Sequence, residues 1–240
     1  YEKGLLNING NGNILIQKEN DNIKYNFSKS KKNLKFDTSL IIKKNPFHLN
    51  FLNFKKNQNE KLEIIILGGK DLLSNEIDLK KISIKEKDNK FEFKNLLLSK
   101  KYQIKSISKV DLNYLDNNLL KNELSIKKMD KSYLLNSESF NATKIIDDLL
   151  SNEKNLDNKK IFSKNFRLNI KIKEAFLDKD HLIENLNGYL TFKDNKVIDA
   201  NIAGDFSDNQ RINFTIKSTS NEKITTLYSD LAKPFVNRYK

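Results

Sequence analysis

Alternation of apolar and polar residues is the feature that most constrains this fold. From Phe166 to Lys173 every even position is apolar and every odd position is polar or charged. A period of two is that of a β-strand with one buried face and one solvated face. The pattern recurs in Asn22–Phe27, Leu34–Ile42, Lys81–Lys85, Ile198–Ile202 and Arg211–Lys217, and less regularly in Tyr102–Val110 and Leu112–Leu115. We therefore expect an all-β chain of about a dozen strands.

Short segments rich in Asn, Asp and Gly separate these strands and predict turns. Asn and Asp tolerate the left-handed backbone conformation that tight hairpins require. Strands joined by such short links should pair antiparallel. The predicted turns are Asn9–Gly12, Asp88–Asn89, Asp116–Asn118 and Asp194–Asn195, together with Leu67–Lys70, which is too short a glycine segment for a phosphate-binding loop.

Two stretches have helical spacing and predict short helices that cover the sheet or its end. The first is capped by Asn141 or Thr143 and groups Ile145, Ile146, Leu149 and Leu150 on one face. The second begins near Thr225 or Thr226 and groups Leu227, Tyr228, Leu231 and Ala232, with Pro234 interrupting or restarting it. The first helix and the polar stretch after it give the best domain boundary, between a strand-rich region of residues 1–140 and a C-terminal module of residues 141–240.

Charge alone does not indicate a nucleic-acid partner. The formal net charge is +13 and 31% of the residues are charged, but the lysines are scattered along the chain instead of clustered. The Phe residues lie with Leu and Ile on the apolar side of the strands. A surface that binds single-stranded nucleic acid instead needs exposed aromatic residues among lysines. We expect no nucleic-acid partner, and a basic surface of this kind attracts anionic lipid headgroups.

Few residues in the sequence could act as a nucleophile, a general acid or base, or a metal ligand, so we do not expect an enzyme. The chain has no cysteine, and its only histidines, His48 and His181, lack partners at ligand spacing. Asp147 and Asp148 diverge on a helix, and Asp178 belongs to a charged turn. The sequence therefore predicts no catalytic residue, no metal site and no cofactor.

A broad sheet with one apolar face must have that face covered. It can fold against a second sheet, close on itself, or curl around an apolar ligand, and strand twist makes curling natural. In the last case the apolar residues line a groove suited to acyl chains. The residues predicted to line it are Ile82, Ile84, Phe166, Leu168, Ile170, Ile172, Leu190, Phe192, Ile198, Ile202, Ile212, Phe214 and Ile216. Periodicity fits a dry, ligand-free structural or adhesin-like β-sandwich equally well, and an outer-membrane β-barrel less well because the strands are short and helices interrupt them.

The order of several short segments resembles the C-terminal module of AsmA-like, YhdP-type bacterial envelope proteins. Upstream, Pro46 to Leu135 resembles the strand-rich repeats that precede this module, whereas Lys233 and Pro234 stand where that family often has a glycine. The segments that carry the resemblance are Ser137–Ala142, the helix end at Leu149–Leu150, Phe166–Ile172, Leu186–Leu190, Ile198–Phe206 and Thr225–Ala232.

The resemblance implies an elongated, curved antiparallel sheet that forms a groove and is part of a longer protein. It further implies a periplasmic protein of a Gram-negative bacterium, held at the inner membrane by a segment outside these residues. The implied activity is bridge-like transport of phospholipid between the inner and outer membranes, with the acyl chains in the groove. No catalytic residues are implied.

Overall fold

The computed structural model describes residues 4–143, 161–178, 180–206, 210–219 and 222–236. It confirms the all-β fold class. Fifteen strands take part in an open, mostly antiparallel sheet, and two further strands form a separate hairpin. The chain divides into two compact units, residues 1–117 and 118–240. The predicted boundary at residues 140/141 marks the start of the module that resembles the AsmA-like family, and it stays a prediction.

The first unit contains an antiparallel sheet in which strands that follow one another along the chain are neighbours. Its order is β1-β2-β3-β6-β7-β8-β10, with β9 paired to β8, while β4 and β5 form the separate hairpin. A 3-10 helix at Asn50–Leu52 connects the strands of that hairpin. The strands are β1 (Leu6–Ile16), β2 (Glu19–Lys29), β3 (Asn33–Ile42), β4 (Phe47–Leu49), β5 (Phe54–Lys56), β6 (Leu62–Asp71), β7 (Ile77–Glu86), β8 (Asn89–Leu98), β9 (Ile104–Ser106) and β10 (Lys109–Leu115).

The second unit contains the sheet order β11-β12-β13-β14-β15-β16-β17. All pairs are antiparallel except β12 and β13, which run parallel. A parallel pair cannot be joined by a tight hairpin, so β12 and β13 need a crossover connection. A short helix, α1 (Lys233–Val236), follows the last strand. The strands are β11 (Lys121–Lys128), β12 (Ser132–Asn141), β13 (Phe166–Phe176), β14 (Leu182–Lys193), β15 (Lys196–Asp205), β16 (Arg211–Ser218) and β17 (Lys223–Ser229).

Three of the predicted turns are present and two predictions are wrong. Turns occur at Asp88, at 116–118 and at Asp194–Asn195, where both residues have positive φ. The segment Asn9–Gly12 instead lies inside β1, where Gly10 is opposite Tyr25. A Cβ at Gly10 would lie 2.7 Å from the Tyr25 hydroxyl, so the glycine makes room for that ring.

The glycine pair at Gly68 and Gly69, predicted as part of a turn, lies inside β6. A Cβ on Gly68 would lie 2.6 Å from the carbonyl oxygen of Asp78, and one on Gly69 would lie 2.8 Å from that of Leu34. The register with β7 shifts between Leu67 and Gly68. These glycines therefore permit close approach of both neighbouring strands at an irregular point of the sheet.

The second predicted helix is wrong in position. Thr225 to Tyr228 belongs to strand β17, which pairs with β16 from Ile212↔Ser229 to Ser218↔Lys223. The helix begins only at Lys233 and contains Pro234 in its first turn, where a missing N–H costs nothing. The first predicted helix lies outside the described residues, apart from its start at Thr143.

Candidate functional site

The first unit carries two apolar rows that run across its strands. Residues directly opposite one another in a sheet share a face, so the pairing register defines each row. One row joins Leu40, Ile64, Ile84, Phe91 and Leu112. The next row joins Thr38, Ile66, Ile82, Phe93 and Val110 on the same face.

A third row continues this face towards the other strand ends. It joins Phe27, Phe36, Gly68, Leu79 and Leu96. We call the three rows together the apolar face of the first unit. The face is a contiguous apolar surface several strands wide.

Burial falls along this face from one row to the next. In the first row Phe91, Leu112 and Ile84 are buried, whereas Leu40 and Ile64 are half-buried. In the second row Ile66, Ile82 and Phe93 are half-buried, although Val110 is buried. The side chains of the third row are all half-buried. Four of the fifteen residues of this face are thus buried, and the other eleven are half-buried and still partly accessible to another molecule.

The β4–β5 hairpin covers the buried end. The Phe54 ring lies 4.9 Å from the Phe91 ring and 6.1 Å from the Tyr114 ring, both edge-on. Phe91 and Tyr114 also contact each other at 5.0 Å. Burial raises the pKa of the Tyr114 phenol, which therefore stays neutral at ordinary pH. This aromatic cluster closes one end of the apolar face.

A buried polar network anchors the chain on both sides of the hairpin. The Asp21 carboxylate accepts backbone N–H bonds from Lys43 and Lys44 at 2.8 and 2.9 Å, and the side chain of Asn45 donates to it at 2.7 Å. The Lys56 ammonium, fully buried, donates to the carbonyl oxygens of Lys43 and Asn45 at 3.0 and 2.6 Å. No local sequence pattern predicts this network, because its members are far apart along the chain.

The second unit carries rows of the same kind. One joins Leu168, Leu190, Ala200 and Ile216. The next joins Leu135, Ile170, Gly188, Ile202, Phe214 and Leu227. At one end of the face the rings of Phe166 and Phe192 stack at 4.6 Å.

Most of the second unit's face is a packed core. Ile170, Ile172, Leu190, Ile212 and Ile216 are all buried in one cluster. Phe235 of α1 belongs to the same cluster, so the short helix covers part of the face. A buried side chain of this kind has its apolar contacts made by protein.

The predicted lining residues therefore divide by accessibility. The structure places those of the second unit on its apolar face, with Ile198 as the exception. Val197, the residue before it, lies opposite Phe192 and packs on the cluster in its place. The pairing register of β14 with β15 shifts between Thr191 and Phe192, and this shift puts Val197 instead of Ile198 opposite Phe192. The half-buried members are Ile82, Phe166, Leu168, Phe192, Ile198, Ile202 and Phe214. Sequence reasoning missed Phe36, Phe93 and Ile66 of the first unit. Alternation in β3 and β8 is the signal that could have found Phe36 and Phe93, whereas β6 is apolar from Ile64 to Leu67 without a break and does not reveal which face Ile66 lies on.

The only close pairing of a histidine with an acid in the described residues is a turn contact. The Asp178 carboxylate contacts His181 Nδ1 at 2.7 and 2.8 Å and accepts the backbone N–H groups of Asp180 and His181. Burial raises the pKa of Asp178, but these hydrogen bonds outweigh it and the net pKa is lowered. Among the described residues no cluster of three or more His, Asp or Glu side chains could hold a metal ion.

In the ranges that the structure covers, no helix is both long and apolar enough to cross a membrane. A scan against protein-family models finds no match. Searches of curated proteins and of solved structures find no significant match either.

Proposed function

We propose that this chain binds the acyl chains of phospholipid on the apolar face of its first unit and takes part in moving phospholipid between membranes of the bacterial envelope. The observation that carries the proposal is the burial gradient on that face. Ile66, Ile82 and Phe93 are only half-buried although they lie in the middle strands of an apolar surface. Large apolar surfaces left partly accessible mark binding sites for lipid or protein.

The free energy of phospholipid binding suits transfer of a lipid between membranes better than its storage on the protein. Burial of a methylene stabilises by about 0.8 kcal/mol, so two acyl chains supply on the order of 20 kcal/mol of gross transfer free energy. Leaving a bilayer costs a similar amount, so the net free energy of moving a lipid onto the face is small. The net charge of +13 favours approach to anionic headgroups. The resemblance to AsmA-like, YhdP-type proteins supports the same activity.

A ligand-free structural role is the second candidate, and the second unit favours it. There Ile170, Ile172 and Ile216 are buried in a cluster that includes Phe235. These three side chains have no apolar area left for a ligand, and half-buried residues of the same face, such as Leu168 and Phe214, pack against the cluster. If both units were of this kind, the chain would bind no lipid.

A matched pair of substitutions on β6 tests the proposal. Ile66 and Ile65 are adjacent and both half-buried, but only Ile66 lies on the apolar face. We expect Ile66→Asp to abolish binding of phospholipid as measured by native mass spectrometry after mixing with lipid vesicles, because a carboxylate cannot share a surface with acyl chains. Ile65→Asp should retain binding, since Ser39 and Ser83 flank that position on the opposite face.

Circular dichroism and thermal unfolding of both variants control for folding. Loss of lipid from the Ile66 variant at unchanged fold supports the acyl-chain site. A wild-type protein that takes up no phospholipid, or equal binding by both variants, contradicts it and favours the ligand-free role.

A further inference from the structure

The exposed edge of β1 is an unprotected pairing surface. Within the described residues β1 has β2 as its only neighbour, so the other edge of this 11-residue strand presents unpaired backbone groups. Natural edge strands are protected by charges, proline, bulges or short length. β1 contains neither a charged residue nor a proline, and its register with β2 is unbroken from Leu6 to Ile16.

The residues of β1 are symmetric about Asn11. Asn9 mirrors Asn13 and Ile8 mirrors Ile14, while Asn7 and Leu15 form the one unlike pair. The other mirrored pairs are Gly10 with Gly12 and Leu6 with Ile16. When such a strand pairs antiparallel with a copy of itself about Asn11, apolar residues lie opposite apolar residues and asparagines opposite asparagines, except where Asn7 meets Leu15.

We propose that two copies of this chain associate through β1, with the strands antiparallel and Asn11 on the two-fold axis. A two-fold contact brings the same surface from each copy together, and it closes after two copies instead of growing into a fibre. Ile8 of one copy lies opposite Ile14 of the other, on the side of the sheet that carries Gly10 and Tyr25. Both isoleucines are exposed in the single chain, at 46% and 38%, and the contact would cover them.

Every second residue of β1 faces the opposite side of the sheet, and there the contact is made by amides. Asn9, Asn11 and Asn13 are exposed and carry no charge. Across the axis Asn9 lies opposite Asn13, and Asn11 lies opposite its own counterpart. Uncharged amide side chains both donate and accept hydrogen bonds, so identical residues complement one another. The association does not require lipid, so it stands or falls separately from the proposed function.

Cysteine substitution tests the register directly, because the natural chain has no cysteine. Directly opposite Cα atoms in an antiparallel pair are about 4.5–5.5 Å apart, which is within disulfide range. We expect Asn11→Cys to form a covalent dimer under mild oxidation. Asn9→Cys is the control, because its two copies lie about 13 Å apart along the strands in this register. A mixture of Asn9→Cys with Asn13→Cys should form the mixed dimer.

Charge substitution tests the same contact without a covalent bond. Asn11→Glu lies opposite Lys24 within the chain, so the folded single chain should keep its stability. The same substitution places two carboxylates opposite each other across the axis, and we expect self-association about fivefold weaker in analytical ultracentrifugation. The double variant Asn9→Lys with Asn13→Asp forms opposite-charge pairs across the axis and should associate at least as tightly as wild type.

Two results would overturn the inference. One is a wild-type chain, without lipid, that sediments as a monomer at its highest soluble concentration. The other is crosslinking of Asn9→Cys as efficient as that of Asn11→Cys, which would show random contact or another register. A β1 edge that pairs with a strand of a different protein would give the first result.

Discussion

At the scale of single residues, Gly188 occupies a position in the sheet where only glycine fits. It lies in β14 between Ile170 and Ile202, with φ of 153°. A Cβ there would lie 2.0 Å from the carbonyl oxygen of Asn201 and 2.7 Å from the Cα of Ile202. The backbones of β14 and β15 are therefore too close for any side chain at this point.

We expect Gly188→Ala to lower the free energy of unfolding by about 1–3 kcal/mol, because the neighbouring strand must move or the backbone must be strained. Urea unfolding followed by circular dichroism measures this change. Gly12→Ala is the matched control, since a Cβ at Gly12 meets nothing within 4 Å. Its unfolding free energy should stay within about 0.5 kcal/mol of wild type. Equal effects of the two substitutions would show that the close approach at Gly188 does not matter.

At the scale of elements, alternation predicted the regular strands correctly. It failed where contacts with residues distant in the sequence determine whether a segment forms a strand or a turn. Strands β13 and β16 were predictable because Phe166–Lys173 and Arg211–Lys217 alternate without interruption. The glycines of β1 and β6 were misinterpreted as turns, since their role is to admit Tyr25 and the backbone of Asp78, which no local pattern reveals. Leu227 and Tyr228 of β17 and Leu231, just after it, mimic helical spacing, but of these three only Leu227 and Leu231 pack on the core.

The anchoring of the β4–β5 hairpin makes a prediction about acid. Burial raises the pKa of Asp21, but the backbone N–H groups of Lys44 and Lys43 and the Asn45 amide outweigh it and lower the pKa from 3.8 to about 2. A carboxyl group whose pKa is lowered on folding stabilises the protein above its unfolded pKa, and this stabilisation is lost as the pH falls. The shift corresponds to roughly 2 kcal/mol.

We expect the unfolding free energy to fall by that amount between about pH 5 and pH 2 through Asp21 alone. Urea titrations at a series of pH values for wild type and Asp21→Asn measure it as the difference between their pH profiles. The variant should be less stable than wild type at neutral pH, and the difference should shrink in acid. Parallel profiles would show that Asp21 does not anchor the hairpin.

At the scale of the whole molecule, alternation predicted which faces are apolar but could not predict how far each is covered. Phe214 and Ile216 look alike in the sequence of β16, yet Ile216 is 2% exposed and Phe214 is half-buried. The difference depends on what the rest of the chain places over each face, such as Phe235 in the second unit and Phe54 in the first. The candidate site consequently shifts from the predicted residues of the second unit to the middle strands of the first.

The measurement that tests this account most directly is photo-crosslinking with a phospholipid that carries a diazirine on its acyl chain, followed by peptide mass spectrometry. The account predicts labels on Ile66, Ile82 and Phe93, the half-buried middle of the first unit's apolar face. Excess unlabelled phospholipid should compete them away, and Ile65 on the opposite face should stay unlabelled. Two results would contradict the account. One is labelling confined to exposed residues such as Leu73 and Leu119, and the other is labelling that excess unlabelled phospholipid does not reduce.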